Sequence, residues 1–447
     1  MNTVLVANRG EIAVRVIRAC RALGLRTVAV YSEADRGAMH TRLADCAVCI
    51  GPAAATQSYL SAPALLATAR GTGADAIHPG YGFLAENADF AAACVEAGLT
   101  FVGPSAEAIR AMGDKVHARE RAAALGVPTV PGSRAPVGDT AEAQAVARDV
   151  GYPVLLKAAA GGGGRGMRVV RAAGELAAAF AAARAEAEAA FGDGRLYVER
   201  FLERVRHVEI QILADRFGAA VQLGERDCSV QRRHQKLLEE APSPAVTPAI
   251  RAAMGESALR LVADIKYENA GTVEFVLDPA TDRFYFIEMN TRIQVEHPVT
   301  EMVTGVDLVA AQLRLAAGER LPFAQADVTI AGHALECRIN AEDPDAGFRP
   351  TPGRIARWSP PEGEGLRVDT HVETGAVVPP FYDSLLAKVI AHGRDREAAL
   401  ARMASALARF AVDGVATTLP VHRRILAHQD FVAGGIHTRW VEDELGR

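Results

Sequence analysis

Two strand patterns that carry acidic residues, GTVEFVLD and YFIEMN, flank the turn-like sequence DPATDR and predict a β-hairpin. The hairpin would bring Glu274 of the first strand close enough to Glu288 of the second to share a cation. Strict alternation would also place every second residue from Glu288 to Glu296, including Asn290 and Arg292, on one face. Carboxylate and amide oxygens suit Mg²⁺, and an arginine can hold a planar anion with two parallel hydrogen bonds. The pattern therefore predicts a metal and anion site on one face of a sheet, and the alternative is a solvated polar face without a ligand.

The composition is typical of a folded globular protein of more than one domain. The chain has 447 residues, of which 49% are hydrophobic and 23% charged, and this length exceeds what one hydrophobic core usually serves. A net charge of −5 gives no reason to expect a nucleic-acid partner. No apolar run reaches membrane-spanning length, and the N-terminus enters a strand at Thr3 without a signal-peptide pattern. We therefore expect a cytoplasmic protein of two or three domains, with neither nucleic acid nor membrane as a partner.

Six cysteines in so long a chain do not form a disulfide framework. Cys46 and Cys49 make a CxxC pair, which could bind zinc or take part in redox chemistry. No second CxxC or histidine pair with ligand spacing accompanies them, and the surrounding DCAVCI alternates like a strand. We interpret both cysteines as small, buried hydrophobic residues of a strand.

Residues 1–114 alternate between strand and helix patterns, which predicts a parallel sheet. The strands read TVLVAN, RTVAVYS, ADAIHPG and LTFVGPS, and helices are expected near residues 11–23 and 87–97. The sequence NRGEIA after the first strand lacks the spaced glycines of a dinucleotide-binding fingerprint. The turn HPGYGFL at residues 78–84 lies where loops border active sites in open α/β sheets. Its Tyr81 is either an exposed site residue or a packed aromatic.

A glycine-rich stretch follows the predicted strand YPVLLK and precedes a second strand, MRVV. Glycines allow backbone N–H groups to surround phosphate oxygens, and Lys157 at the end of the first strand could reach the same charge. The stretch lacks the GK[ST] of a Walker loop. We predict a phosphate-binding loop here, with a flexible hairpin without a ligand as the alternative. Its residues are Gly161, Gly162, Gly163, Gly164, Arg165 and Gly166.

Only five of the 49 basic residues are lysines, so each lysine indicates a place that favours a compact ammonium. One of them, Lys236, lies in the basic span GERDCSVQRRHQK, which we interpret as a loop and an anion site; the alternative is a solvated basic face. Upstream, LYVERFLERVRHVEIQIL places Glu199 and the backbone near Leu202 at a strand exit, where they could anchor adenine or ribose. His207 and Glu209 alternate on the next strand, and His207 alone would indicate only a half-buried histidine.

The last third of the chain mixes strand and helix patterns. HALECRINAEDP predicts a strand that carries Arg338, and YDSLLAKVIAHG predicts a strand in which Lys388 has a structural role. A helix is expected from about Arg396 to Phe410, with Asp395 as its N-cap.

Taken together, these motifs resemble the biotin carboxylase family of the ATP-grasp superfamily over essentially the whole chain. The resemblance rests on long and specific segments, which are GDK at 113–115, KAAAGGGGRGM at 157–167, RHVEIQ at 206–211, ERDCSVQRRHQK at 225–236, EMNTRIQVEHPVTE at 288–301 and YDSLLAK at 382–388.

The resemblance implies a fold that combines α/β and α+β parts. An N-terminal parallel α/β domain would be followed by an ATP-grasp lid domain with the glycine-rich loop and by a C-terminal ATP-grasp and mixed-sheet domain, with ATP held between the last two. The implied boundaries are 1–114 for the N-terminal domain, 115–203 for the linker and lid, 204–330 for the ATP-grasp catalytic core and 331–447 for the C-terminal domain.

The resemblance also implies three sets of site residues. ATP would be bound by Lys115, Lys157, Gly162, Gly163, Gly164, Arg165, Gly166, Glu199, Leu202, His207, Gln231 and His234. Mg²⁺ or Mn²⁺ would be bound by Glu274 and Glu288, with Asn290 assisting. Bicarbonate and biotin would be held by Lys236, Arg292, Gln294, the Val295 backbone, Arg338 and Tyr81. The catalytic residues would be Lys236, Arg292, Glu296 and Arg338.

The implied reaction carboxylates biotin with bicarbonate and ATP through carboxyphosphate. Glu296 would take the bicarbonate proton during attack on the γ-phosphorus, and Arg338 would stabilise the enolate-like oxygen of deprotonated biotin. No Ala/Val-Met-Lys-Met biotinylation motif occurs, so biotin would arrive on a separate carrier protein or domain. This is the first half-reaction of acetyl-CoA carboxylase or another acyl-CoA carboxylase, as in fatty acid biosynthesis. Carboxyltransferase subunits, together with a second copy of the chain that forms a homodimer, would be the other partners.

Two other functions remain open. One is another ATP-grasp ligase, which activates a different carboxylate through an acyl phosphate. The other is a non-catalytic ATP-binding assembly protein, and the presence of Lys236, Glu296 and Arg338 argues against it.

Overall fold

The computed structural model describes residues 1–158 and 167–446, and the chain divides into two compact units. The first unit contains residues 1–118, 206–275 and those from 287 onward, and the second contains residues 119–205 and 276–286. A parallel sheet at the N-terminus and antiparallel sheets elsewhere confirm the predicted combination of α/β and α+β parts. Among the described helices, none has the length and apolar character needed to cross a membrane.

The N-terminal part of the first unit is built on a five-stranded parallel sheet, which confirms the predicted alternation of strands and helices. Its elements are β1 (Thr3–Val6), α1 (Gly10–Ala22), β2 (Arg26–Ser32), α2 (Met39–Leu43), β3 (Cys46–Gly51), α3 (Ala62–Thr72), β4 (Ala76–His78), α4 (Ala88–Glu96), β5 (Thr100–Phe101) and α5 (Ala106–Gly113). The strand order is β3-β2-β1-β4-β5, and every residue of the central β1 is buried, as in sheets covered on both faces. Helix α4 begins after Asn87, whose side chain accepts a hydrogen bond from the Phe90 N–H.

The two cysteines of the CxxC pair lie on β3, but they are not buried as predicted. Cys49 is exposed and Cys46 is partly exposed, and both are free thiols. The prediction failed because β3 is an edge strand of the sheet, with a neighbour on only one side. A separation of three residues along a strand also directs the two side chains to opposite faces, which does not favour a shared metal.

The second unit contains a three-stranded antiparallel sheet in the order β7-β6-β8. Residues 115–205 form α6 (Lys115–Ala124), α7 (Thr140–Val150), β6 (Val154–Ala158), β7 (Met167–Val170), α8 (Leu176–Phe191) and β8 (Leu196–Arg200). Lys157 lies on β6 and Glu199 on β8, as their strand patterns predict. The predicted phosphate-binding loop, Gly161 to Gly166, lies outside the described residues.

Residues 206–446 are organised around an eight-stranded sheet. Elements up to the last third of the chain are β9 (Arg206–Ala214), β10 (Ala220–Arg232), β11 (Gln235–Ala241), α9 (Pro248–Asp264), β12 (Asn269–Asp278), β13 (Arg283–Asn290), α10 (His297–Thr304) and α11 (Leu308–Ala316). The remaining elements are β14 (His333–Asn340), β15 (Glu342–Asp343), β16 (Arg349–Pro350), β17 (Gly353–Arg354), β18 (Arg357–Ser359), β19 (Leu366–Thr370), β20 (Val377–Val378), β21 (Leu385–Gly393), α12 (Arg396–Arg409), β22 (Ala411–Asp413), α13 (Leu419–Ala427) and α14 (Gln429–Val432).

The strand order in this sheet is β13-β12-β9-β10-β11-β14-β21-β19. The pairs from β9 to β19 are antiparallel. Strands β12 and β13 are neighbours, which confirms that the two acid-bearing strand patterns pair. Arg338 lies on β14 and Lys388 on β21, both as predicted, and the Asp395 carboxylate caps α12 by accepting from the Ala398 N–H. Four of the predicted site residues, which are Glu274, Glu288, Lys236 and Arg338, therefore come from strands of this one sheet.

Two local predictions near this sheet are wrong. The basic span GERDCSVQRRHQK is not a loop, because it continues β10 and returns as β11 through Arg233 and His234, whose φ angles are 47° and 66°. Two-residue turns with positive φ normally carry asparagine or glycine, so the sequence contains no signal for this one. Strand alternation also fails beyond Asn290, since β13 ends there and a loop leads to α10.

Candidate active site

Glu296 lies directly before α10 and its side chain is buried. Its carboxylate accepts two charge-assisted hydrogen bonds: Lys236 Nζ is 2.6 Å from Oε1, and Arg338 Nη2 is 2.8 Å from Oε2. Burial opposes ionisation of this carboxyl, but the charges of Lys236, Arg338 and Arg226 outweigh it and hold the pKa of Glu296 well below its usual value. Glu296 is therefore an ionised, water-shielded carboxylate between two cations that were predicted to bind substrate.

Lys236 lies at the start of β11 and is surrounded by three carboxylates. Its Nζ is 2.7 Å from Glu209 Oε2, 3.2 Å from Glu274 Oε1 and 2.6 Å from Glu296 Oε1. Burial alone would lower the pKa of this ammonium, but the surrounding negative charges raise it well above its usual value. Lys236 therefore stays protonated, and its ammonium is shared among the three carboxylates.

Glu209 and Arg226 belong to this site, although the sequence patterns gave Glu209 no role in it and predicted Arg226 only as part of the basic anion-binding span. Arg226 is fully buried, and its Nε is 2.6 Å from Glu209 Oε1. Its Nη1 also donates to Gln211 Oε1 over 2.7 Å and to Thr300 Oγ1 over 3.0 Å. Arg226 thus orients the carboxylate that in turn orients Lys236. Glu209 could have been selected from the strand alternation it shares with His207 on β9. Its pairing with Arg226 could not, because that pairing depends on the register of β9 against β10.

A pair of buried carboxyls lies beside Arg338: Glu239 on β11 and Glu336 on β14 face each other across the two strands. Arg338 Nε donates to Glu239 Oε1 over 2.6 Å. Among the described residues, Glu239 Oε2 and both carboxyl oxygens of Glu336 have no hydrogen-bond partner. Burial raises the pKa of Glu239 to about 7 and the pKa of Glu336 well above its usual value. Both carboxyls therefore hold their protons more strongly than solvent-exposed glutamates do, and Glu239 titrates near neutral pH.

The raised pKa of Glu239 predicts a pH-dependent stability. The folded protein holds the Glu239 proton up to about pH 7, whereas the unfolded chain releases it near the usual value of 4.5. Since the folded state binds more protons between these values, stability falls as pH rises through this window, by roughly 2–3 kcal/mol. We expect the thermal midpoint of the wild type to fall by about 2–4 °C relative to that of Glu239→Gln between about pH 5 and pH 8. Parallel pH profiles of the two proteins would contradict the assignment.

The loop between β13 and α10 carries the predicted anion-binding residues. Arg292 is placed by Glu86, whose Oε2 is 2.8 Å from Arg292 Nε and whose Oε1 accepts from the Thr291 N–H over 3.0 Å. Arg292 Nη1 donates to Gln294 Oε1 over 2.9 Å, and Gln294 Nε2 donates to Glu274 Oε1 over 3.2 Å. Loop geometry, rather than strand alternation, therefore brings the predicted arginine, amide and carboxylate together.

The predicted metal ligands lie on β12 and β13. Glu274 Oε1 accepts from Asn290 Nδ2 over 2.8 Å, and Glu274 Oε2 is 3.1 Å from His207 Nε2. Glu288 and Asn290 line one cavity of about 290 Å³, where Glu288 Oε2 is 2.6 Å from Lys115 Nζ. Two carboxylates and an amide are hard oxygen donors that fit Mg²⁺, which usually combines one or two carboxylates with substrate phosphates. The donor set is therefore suited to the predicted cation.

Tyr81 lies in the turn after β4, and its hydroxyl donates to Glu11 Oε2 over 2.6 Å. Burial raises the pKa of Tyr81 well above its usual value, and the Arg338 charge is close enough to oppose this rise. The side chain is half-buried and has a fixed partner, so of the two interpretations the packed aromatic describes it better. Its position near Arg338 nevertheless keeps it within the site.

Four residues predicted to bind ATP lie in the first unit. Lys115 and His207 contact the predicted metal ligands Glu288 and Glu274. Burial would lower the pKa of His207, but the Glu274 charge reverses the effect and raises it. The other two occupy the β10–β11 hairpin, where Gln231 is buried near the end of β10 and His234 is exposed in the turn.

The other residues predicted to bind ATP belong to the second unit. Lys157 Nζ is 3.4 Å from Glu199 Oε2, and Arg119 pairs with the same carboxylate. Leu202 follows β8 and is partly exposed. The remaining predicted residues, which are Gly162, Gly163, Gly164, Arg165 and Gly166, lie outside the described residues.

Family models match nearly the whole chain. Residues 1–109 match the biotin carboxylase N-terminal domain, and residues 336–443 match the biotin carboxylase C-terminal domain. Residues 114–324 match the ATP-binding domain of the carbamoyl-phosphate synthase L chain.

Individual relatives cover the same length. A biotin carboxylase of Pseudomonas aeruginosa is 56% identical over 447 residues, which cover 100% of this chain and 99% of the relative. One of the pyruvate carboxylase subunits of Methanothermobacter thermautotrophicus is 51% identical over 440 residues, which cover 98% of this chain and 89% of the relative. Among solved structures, the chain is similar to the biotin carboxylase domain of 2-oxoglutarate carboxylase from Hydrogenobacter thermophilus, a dimer in complex with MgADP, ADP and bicarbonate. The two chains are 50% identical and superpose with a TM-score of 0.91, and the match covers 99% of this chain and 98% of the other. With its three-part match and its full-length relatives, the chain belongs to the biotin carboxylase family of ATP-grasp ligases.

Proposed function

We propose that the chain carries out the first half-reaction of a biotin-dependent carboxylase, with Lys236, Glu296 and Arg338 at its centre. It is an ATP-dependent ligase that carboxylates biotin with bicarbonate. Bicarbonate attacks the γ-phosphorus of ATP to give carboxyphosphate and ADP, and carboxyphosphate then breaks down to CO₂ and phosphate. The phosphate removes the proton from the biotin ureido nitrogen, which forms a bond to CO₂.

The observation that carries the assignment of roles is the Glu296 carboxylate between Lys236 and Arg338. Lys236 would hold bicarbonate with its proton toward Glu296, which is ionised and can accept it. Arg338, on the other oxygen of Glu296, would stabilise the negative oxygen that develops on biotin. One buried carboxylate thus lies next to the binding groups of both substrates.

The neighbouring residues would complete the two substrate sites. Arg292 and Gln294, already bonded to each other, would contact the bicarbonate oxygens together with the Val295 backbone. Tyr81, which is near Arg338, would contact biotin. These contacts would hold the reacting atoms in line and exclude water that could hydrolyse carboxyphosphate.

We also propose which residues bind the metal ion and ATP. Mg²⁺ or Mn²⁺ held by Glu274 and Glu288, with Asn290 assisting, would neutralise charge on the transferring phosphoryl group. We further propose domain boundaries of 1–114, 115–203, 204–330 and 331–447. We assign ATP contacts to Lys115, Lys157, the Gly162 to Gly166 loop, Glu199, Leu202, His207, Gln231 and His234.

For the complete enzyme, we propose that biotin arrives on a separate carrier protein or domain and that a carboxyltransferase passes the carboxyl group to acetyl-CoA in the cytoplasm, for fatty acid biosynthesis. The Pseudomonas relative supports a biotin carboxylase of matching length, and the Methanothermobacter relative makes pyruvate the alternative acceptor. The solved dimer of a relative supports a homodimer. Carboxylation of acetyl-CoA or of pyruvate, after addition of the carrier and carboxyltransferase from the same organism, distinguishes the two acceptors.

The function is tested by ADP release from the purified chain at varied bicarbonate, with and without free biotin. We expect release to require bicarbonate and to increase with biotin. Turnover that requires another carboxylic acid in place of bicarbonate would favour a different ATP-grasp ligase. ATP binding without turnover would favour an assembly protein.

Replacing Arg338 with methionine should separate the two halves of the reaction. The variant loses the donor to the biotin oxygen, so we expect biotin-stimulated ADP release to fall about 10²-fold or more. Release without biotin should fall much less, because Lys236 still holds Glu296. Arg394→Met is the matched control, since the Arg394 side chain is 90% exposed, and it should match the wild type. An equal loss with and without biotin would contradict a biotin-specific role for Arg338.

A further inference from the structure

Lys388 is a buried cation that the reaction, as assigned, does not use. All five lysines lie in described residues, and Lys388 is the one whose side chain has an exposure of 0%. Burial alone would lower its pKa, but the charges of Glu11 and Asp369 raise it, so the side chain is an ammonium at neutral pH. Burying a charge is costly, and an ion pair of this kind is often no more stabilising than an apolar pair of the same volume. Fold stability alone therefore does not explain a lysine here.

The ammonium of Lys388 holds the loop that precedes the proposed base. Its Nζ donates to the Val295 main-chain oxygen over 2.9 Å. Val295 directly precedes Glu296 and follows Gln294, so this hydrogen bond fixes the peptide between the two side chains that would meet bicarbonate. On its other side, Lys388 Nζ is 3.0 Å from Glu11 Oε1 on α1. One ammonium thus connects the loop to the Glu11 carboxylate on α1.

Glu11 connects this attachment to the second substrate. While Oε1 of Glu11 faces Lys388, its Oε2 accepts the hydrogen bond of the Tyr81 hydroxyl over 2.6 Å. Lys388 is also the cross-strand neighbour of Arg338 in the β14–β21 pair. The same buried ion pair therefore contacts the elements that present groups to bicarbonate and to biotin.

We propose that Lys388 is a positioning residue for bicarbonate. By holding the Val295 carbonyl, it fixes the loop that presents Gln294 and Glu296 to that anion. The inference rests on the proposed function, in which this loop binds bicarbonate. Loss of the ammonium should leave ATP binding intact, because no predicted ATP-binding residue contacts Lys388 among the described residues.

The test is a comparison of steady-state parameters for Lys388→Met and wild type in ADP release at varied bicarbonate and varied ATP. A hydrogen bond from a charged donor to a loop carbonyl is lost, so we expect the KM for bicarbonate to rise about tenfold, with the KM for ATP within about twofold of wild type. Lys266→Met is the matched control, because Lys266 is exposed and should leave both values unchanged. A merely structural role would lower the amount of active protein and leave both KM values unchanged.

A second variant covers the case in which Lys388→Met does not fold. Lys388→Met combined with Glu11→Gln removes both members of the ion pair, so no unpaired charge from it stays buried, but the donor to Val295 is still missing. We expect this variant to show the same rise in the KM for bicarbonate. If the wild type requires bicarbonate and a folded variant has an unchanged KM for bicarbonate, this inference is overturned and the proposed function is not. A wild type without bicarbonate-dependent turnover overturns the proposed function and the inference with it.

Discussion

Replacing Glu296 with glutamine should reduce bicarbonate-dependent ADP release by a factor of about 10²–10⁴, the range expected when a general base is removed. Glutamine keeps the size of the side chain and can still accept a hydrogen bond from Lys236, but it cannot take the bicarbonate proton. The two cations keep other partners, Glu209 and Glu274 for Lys236 and Glu239 for Arg338, so we expect a folded protein that binds ATP. The measurement is ADP release at saturating ATP and bicarbonate, together with ATP affinity by calorimetry.

The low pKa of Glu296 explains how the base stays available, and it also sets a condition on the reaction. With its pKa below the usual value, Glu296 is ionised throughout the neutral range, but it is also a weak base. Bicarbonate bound to Lys236 would take over part of the charge that now depresses this pKa, so the base would become stronger when its substrate is present. Glu256→Gln on the exposed face of α9 is the control and should retain wild-type activity. Full activity of Glu296→Gln would exclude Glu296 as the base.

Local sequence patterns correctly predicted the parts of the fold that depend on residues close together in the sequence. The alternation of strands and helices in residues 1–114 and the Asp395 cap of α12 depend on spacing within a few residues, and both were predicted correctly. The neighbouring strands β12 and β13 followed from two alternating segments around one turn. In these places periodicity and capping chemistry agree with the tertiary structure.

Predictions failed where the cause lies in a distant part of the chain or in an unusual turn. Nothing near Arg233 and His234 indicates a hairpin turn, because the pair lacks the asparagine or glycine that two-residue turns with positive φ normally carry. The exposure of Cys49 depends on β3 being an edge strand, which is a property of the whole sheet.

The candidate site shows the same division between local and distant causes. Individual side chains such as Lys236 and Arg338 could be selected from sequence motifs. Their placement on one carboxylate depends on contacts across 60 and 42 residues of sequence, which alternation does not encode. Glu239 and the pairing of Arg226 with Glu209 were missed for this reason, since each depends on the register of neighbouring strands.

Replacing Lys236 with methionine should have the largest combined effect on activity and stability. The variant leaves the Glu209, Glu274 and Glu296 carboxylates without their shared cation, and breaking a buried ion pair on one side costs about 3–5 kcal/mol. Bicarbonate-dependent ADP release should fall at least about 10³-fold, because the anion loses its binding charge and the transferring phosphoryl group loses a neutralising charge.

Without the Lys236 ammonium, the pKa values of Glu274 and Glu296 rise, so these groups can take up protons as the pH falls. We therefore expect the loss in thermal midpoint relative to wild type to be greater at about pH 8 than at about pH 5. Lys266→Met, with its exposed side chain, should show neither effect. A stability loss that is equal at both pH values would contradict the three unpaired carboxylates as its cause.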